Sequence, residues 1–260
     1  MWRLIQSECI KIGKSDYYRR LFVIYLLISL ATLSQERGTK SAFFMTGYEW
    51  FCVRQLMGGW AWMPIPFFIA EYIAGDFRNH GYTSTLLCGF TRKEILCAKG
   101  IVCAAGVLVL ALTNTVVGLA VTILLNGFGA ELNKRTITHM TVRFIYYLVD
   151  HIADTGAFAF VVAVIVKSKA GTMVLSLVIL ELMGSTTGRI WYILKDIKNP
   201  IWKEIVHKMF EFTPLYQIDS LLVPEHFRPH QFWQYLLSCS VWLVVTYLIT
   251  LYFFKRSDLQ

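Results

Sequence analysis

Six apolar runs, separated by segments rich in lysine and arginine, constrain this chain more than any other feature. A helix needs roughly 20 mostly apolar residues to cross the hydrocarbon layer of a bilayer. Leu21–Leu33, Trp50–Ala74, Gly100–Leu125, Phe144–Val166, Ala170–Thr187 and Phe232–Phe254 reach or approach that length. The first is short in apolar residues, and Tyr17–Arg20 extend its helix; Gly184-Ser185-Thr186-Thr187-Gly188-Arg189 interrupts the fifth. Of the residues, 56% are hydrophobic and 16% charged, against roughly 25% charged in a soluble domain. That excludes an ordinary soluble globule, a disordered chain and a fibrous one. The sequence therefore predicts a single all-α integral membrane domain over residues 1–260, with about six transmembrane helices.

The formal charge of +8 does not form a nucleic-acid-binding stripe, because the basic residues flank the apolar runs. Arg3, Lys11, Lys14, Arg19 and Arg20 precede the first run, and Arg78, Arg92, Lys93 and Lys99 lie between the second and third. Lys167 and Lys169 follow the fourth, and Lys255 and Arg256 follow the sixth. With an even number of spans these segments share one side, which the positive-inside rule makes the cytoplasm. Lys134, Arg135, Lys195, Lys198 and Lys203 then fall outside, spread over longer segments. No cleavable signal pattern precedes the first run, which is expected to stay in the mature protein. The expected location is a cell membrane, bacterial and plasma in kind, with both termini cytoplasmic.

Trp2, Ile5, Cys9 and Ile12 recur at helical spacing, with Arg3, Glu8, Lys11 and Lys14 on other faces. That predicts a helix over residues 1–20 lying in the cytoplasmic interface. Between residues 195 and 231, Ile201, Ile205, Met209 and Phe212 predict short helices re-entering the outer leaflet.

Motifs for chemistry are scarce. Gly13-Lys14-Ser15 copies the end of a phosphate-binding loop, but Glu8 stands where the upstream glycine belongs and no strand precedes it. Glu225-His226 and His230 lack a third ligand, so no metal site is expected. Cys52 and Cys239 read as buried free thiols. No cofactor is expected on this chain.

The loop over residues 75–99 carries the most information. A helix is expected to end at Asp76, and a short helix from about Tyr82 to Cys88 to break at Gly89. Thr91 then caps a new helix with Glu94 at the capping-box position, and that helix runs into the third span. A short amphipathic helix held between two spans is placed to dock into a groove on a soluble partner.

This loop resembles that of the type-2 ABC transporter permeases. In that family an acidic residue after the second span leads to a coupling helix, then a Gly-x-Ser/Thr-Arg turn and a lysine at the start of the third span. Asp76, Gly89, Thr91, Arg92 and Lys99 occupy those positions, and Gly81-Tyr82 stands where the family often has Gly-Thr. Phe212-Thr213-Pro214-Leu215-Tyr216 is similar to the turn before the family's final span, and Phe253–Leu259 to its usual ending. The resemblance implies the transmembrane permease subunit of an ATP-driven exporter. It further implies separate ABC ATPase subunits that bind ATP and Mg, and a second permease copy or a related one. Asp76, Gly81, Leu86, Leu87, Gly89, Phe90, Arg92 and Lys99 are the expected ATPase-coupling residues. An antimicrobial peptide or other amphipathic molecule is the substrate class that compact relatives suggest.

Asp150 and Asp154, four apart, share a face of the fourth span. Asp150 lies about 10 Å below Arg143, and Glu181 about 16 Å from the inner end of the fifth span. Such groups face protein or water rather than lipid. With Arg54 they are candidates for a translocation path; the alternative is internal pairing with Arg54, His151 or Arg189. Two other functions fit the same residues: a membrane-embedded enzyme using Asp150, His151 and Asp154, and a non-transporting sensor or anchor subunit.

Overall fold

The structure is a computed structural model that describes residues 1–33, 36–37, 40–41, 46–51, 62–131, 133–197, 199–211 and 229–257. Apart from a two-residue antiparallel pairing of Glu36–Arg37 with Lys40–Ser41, the regular structure among these residues is helical. Among the described residues, three helical stretches combine the length and apolarity needed to cross a membrane: Arg92–Asn126, Thr136–Val166 and Trp233–Arg256. These correspond to the third, fourth and sixth apolar runs.

Helix α1 (Trp2–Lys14) ends at Ser15, whose extended backbone redirects the chain into α2 (Asp16–Leu33). The expected extension through Tyr17–Arg20 is present, and Asp16 sits in the first turn, where the helix dipole favours an acid. Thr46 forms a capping box with Glu49 to start α3 (Gly47–Glu49). Residues 52–61, including Cys52 and Arg54, lie outside the described residues, so the second apolar run is seen only at its two ends. Its later part is α4 (Pro64–Ile69), a π turn at Ala70–Ala74 and α5 (Gly75–Arg78). Pro64 stands in the first turn, where its missing N–H costs no intrahelical bond.

Helix α6 (Gly81–Leu87) precedes α7 (Arg92–Asn126). At 1.5 Å per residue the 35 residues of α7 span about 52 Å. This exceeds the roughly 30 Å hydrocarbon thickness, so a helix crossing the membrane here extends well beyond it. Helix α8 (Lys134–Asp150) passes through a π turn at His151–Gly156 into α9 (Ala157–Val166). Helices α10 (Lys169–Asp196), α11 (Pro200–Glu211) and α12 (Pro229–Arg256) complete the described chain.

The main core joins α1, α2, α4, α6, α7, α9 and α12 through Tyr25, Phe68, Tyr72, Tyr82, Val107, Phe160 and Phe254. Helix α12 packs along α9 and the π turn before it, while α1 and α2 pack along α7. Gly118 on α7 is required by this packing: a Cβ there would stand 1.9 Å from Trp50 Cζ2. At one end of the bundle, the amides of Gly47 and Tyr48 donate to the carbonyls of Gly127 and Phe128 at 3.0 and 2.9 Å.

The interfacial reading of residues 1–20 changes in one respect. Glu8 points into the protein with Leu4, whereas Trp2, Cys9 and Ile10 are exposed. The inward face of α1 is therefore part polar, for a reason that α7 supplies below. Of the 195–231 segment, α11 is described and Ile201, Trp202 and Ile205 are exposed on it. Phe212–Tyr216, Glu225, His226 and the chain end from Asp258 lie outside the described residues. Gly13 and Lys14 close α1, and Ser15 joins it to α2.

Candidate functional site

Four segments distant in sequence meet at the other end of the bundle: α1, the 75–99 loop, the 167–169 turn and the end of α12. Their centre is Lys99, on α7, with a side chain only 1% exposed. Its ammonium lies 2.5 Å from Asp76 Oδ2 and 3.1 Å from Glu8 Oε1. The Tyr72 and Tyr82 rings flank it at 4.5 and 5.2 Å, within cation–π range. Lys11, half exposed, donates to the other oxygen of Asp76. Two lysines and two carboxylates thus neutralise one another under the loop. Burial alone would raise the Asp76 carboxyl, but Lys99 and Lys11 outweigh it and hold the group below the ordinary aspartate value.

Asp76 does not end its helix, which runs on to Arg78, because the carboxylate is engaged sideways rather than as a cap. After Asn79, His80 adopts a left-handed conformation (φ 54°) that turns the chain into α6. Gly81 follows because Asp76 packs against it: a Cβ at Gly81 would meet Asp76 Cγ at 2.9 Å. Tyr82 is buried, donates its hydroxyl to Ile73 O at 3.2 Å, and contacts the rings of Phe77 (4.4 Å) and Phe254 (5.1 Å). Helix α6 is thereby fixed to α5, α7 and α12.

The expected end of α6 holds to within a residue. Cys88 closes it and Gly89 turns the chain with φ 87°, as a residue without a Cβ does readily. Thr91 Oγ1 accepts from Glu94 N while the Glu94 carboxylate accepts from Thr91 N at 2.9 Å, completing the predicted capping box. The Arg92 guanidinium donates to the carbonyls of Phe254 (3.1 Å), Lys255 (2.6 Å) and Ser257 (3.1 Å), satisfying groups that the last turn of α12 leaves open.

The three apolar side chains expected to face a partner divide. Leu86 and Phe90 are partly buried and pack on the main core, whereas Leu87 is 84% exposed. Ser84 and Cys88 are exposed beside it. One large apolar side chain therefore stands on the outer face of a rigidly held short helix.

The acidic candidates are only partly gathered. Asp150, buried at the end of α8, accepts from the Tyr235 hydroxyl at 3.5 Å. His151 Nδ1 lies 3.8 Å from Asp150 Oδ2 and 3.1 Å from Tyr147 O. Asp154 follows in the π turn, partly exposed, and makes no hydrogen bond or ion pair with the described residues. Glu181 is exposed on α10. Arg54 and the side chain of Arg189 lie outside the described residues. Among the described residues no group of three His, Cys, Asp or Glu side chains can hold a metal, and Cys239 is buried with its thiol free.

Sequence reasoning missed Glu8, Lys11, Tyr72 and Tyr82 as parts of the loop's support. A signal existed for two of them: Leu4, Glu8 and Lys11 share a helical face. Compared with known proteins, the chain matches no protein-family model and no curated protein sequence.

Proposed function

We propose that this chain is the membrane permease subunit of an ATP-driven exporter, with α6 as the helix that couples it to a separate ATPase. The observation that carries the reading is the mounting of α6. It is anchored from behind by Tyr82 and the Lys99 cluster, and it presents Leu87 outward. Such a helix transmits a push instead of absorbing it.

In this reading six crossings follow the apolar runs: α2, the Trp50–Ala74 run, α7, α8 with α9, α10, and α12. An even number returns both termini to the end bearing α6. The contacts of Glu8 and Lys11 with the loop, and of Arg92 with the α12 carbonyls, support that arrangement. The basic flanks make that end cytoplasmic. ATP and Mg are held by the ATPase, and a second permease, identical or related, completes the path. Closure of two ATPases displaces α6, and the rigid links from Tyr82 to α12 and from Asp76 to α7 carry the movement into the bundle as a switch between two packings. Asp150 and Asp154 favour a cationic, amphipathic cargo such as a peptide.

A photo-reactive amino acid at Leu87, with one at the partly buried Leu86 as control, tests the reading in cells. Mass spectrometry should identify a protein bearing an ATP-binding phosphate loop on the Leu87 adduct and far less on Leu86. Adducts to lipid alone, or to proteins without such a loop, would refute it.

A further inference from the structure

Beside α6, a cleft of about 510 Å³ opens between the end of α5 and the turn joining α9 to α10. Phe77, Arg78, Lys167, Ser168, Lys169 and Ala170 line it. Its charge is unbalanced. Lys169 is committed to Glu71 at 2.5 Å, while Arg78 and Lys167 are exposed and have no carboxylate at ion-pair distance among the described residues. The Lys167 ammonium stands 5.6 Å from the centre of the Phe77 ring, at the wall of the cleft.

Lys167 is also an unusual residue for its place. It closes α9 in the left-handed conformation (φ 55°), its amide donating to Ala163 O at 3.0 Å. Glycine is the usual choice there, because a Cβ is strained in that region. Backbone geometry gives no reason for a lysine, and its one ring contact among the described residues, with Phe77, lies at the cleft wall. Ser168 caps α10 through Gly171 N, so the positive end of a 28-residue helix opens at the same place.

We propose that this cleft binds the phosphate of an anionic phospholipid headgroup in the leaflet at that end of the bundle. Three cations face one carboxylate at the level where apolar helices emerge, and basic pockets between membrane helices take headgroup phosphates. The Arg78 guanidinium supplies a planar fork suited to phosphate oxygens, and Lys167 a point charge. Phe77 contacts Tyr82 of α6 at 4.4 Å, so a bound headgroup steadies the short helix from one side. The inference requires only that these helices lie in a bilayer. It stands whether or not an ATPase is the partner.

The test uses the full chain in phosphatidylcholine nanodiscs with and without phosphatidylglycerol, read by native mass spectrometry and by melting temperature. The wild type should retain phosphatidylglycerol on release and melt higher when it is present. R78Q/K167Q should lose both effects, while K93Q, which removes an exposed cation elsewhere at the same end, should keep both. Equal retention by wild type and R78Q/K167Q overturns the proposal, as does equal loss in K93Q. Should the double variant fail to fold, Lys167→Gly removes the charge while suiting the backbone; its loss of lipid supports the site and full retention overturns it. Inorganic phosphate added to phosphatidylcholine discs separates the sources. A rise in melting temperature equal to that with phosphatidylglycerol would assign the cleft to free phosphate and overturn the lipid.

Discussion

Replacing Lys99 with methionine keeps most of the side-chain volume and removes the cation at the centre of the cluster. Glu8 and Asp76, with side chains 8% and 7% exposed, then share a single compensating charge on Lys11, which is 45% exposed. Breaking a buried ion pair by removing one partner costs about 3–5 kcal/mol. Lys11 still serves Asp76, so the lower part of that range is expected. Removing Glu8 as well restores neutrality, since Lys11 and Asp76 remain paired. E8Q/K99M should therefore recover stability relative to K99M, with a coupling of about 1–3 kcal/mol between neighbouring groups. Equilibrium unfolding in mixed micelles, titrated with dodecyl sulfate, measures all four corners of the cycle. The cluster also predicts a pH dependence. Asp76 is held below its ordinary value of 3.8 in the folded protein, so its contribution is complete above that pH. It is lost as pH falls through the lower folded value. K99M should lose part of this acid transition. Unchanged stability in K99M, or additive losses in the double variant, would refute the view that Lys99 organises this end of the bundle.

Other expectations follow from the same geometry. Native Cys9 and Cys88, both exposed at the cluster end, should react with a membrane-impermeant maleimide in inside-out vesicles but not in intact cells, with peptide mapping to separate them from Cys52; the reverse pattern inverts the topology. Gly81→Ala forces a methyl against Asp76 Cγ and should cost about 1–3 kcal/mol, as overpacking does, read in the same unfolding titration; no loss would mean that α6 shifts freely. Leu87→Asp should leave insertion and melting unchanged and abolish recovery of the ATPase with the purified chain, whereas normal recovery would move the contact elsewhere. D150N/D154N should keep its melting temperature, because no lysine or arginine pairs with either aspartate among the described residues, and should lose response to cationic substrates; a large drop in melting temperature would reveal a buried cationic partner.

What was legible in the sequence was local. The Thr91–Glu94 box and the break at Gly89 depend on residues within a few positions of one another. Their chemistry is the same in a peptide as in the bundle. The apolar runs were legible because a bilayer imposes a length. What was not legible depended on distant partners. Glu8 reads as an outward charge on an amphipathic helix until Lys99 is brought beneath it. Arg92 reads as an anchor of the loop's turn, but nothing near it in sequence shows that its donors go to the last carbonyls of α12. Leu86 and Leu87 are indistinguishable in sequence, and only the core that forms around Leu86 and Phe90 separates them. The π turn at His151–Gly156 left no mark in composition; the i, i+4 spacing that predicts a shared face for Asp150 and Asp154 holds for a regular α-helix.

These outcomes share a physical cause that bears on function. A short helix of seven residues is too short to be stable alone, since nucleation is costly and few hydrogen bonds repay it. Its persistence as α6 therefore depends on tertiary anchors, here Tyr82 against Phe77 and Phe254, and Gly81 against Asp76. The anchors reach α5, α7 and α12, and through Lys99 also α1. A force applied at Leu87 is consequently shared among four helices instead of being lost in fraying of α6. The same connectivity works in reverse: a change in the relative positions of α7 and α12 must move α6 or break the Tyr82–Phe254 contact and the Arg92 hydrogen bonds to the last carbonyls of α12. In the proposed permease these links make this end of the bundle a mechanical joint, with the charges at Glu8, Asp76 and Lys99 tying α1, α5 and α7 together behind α6.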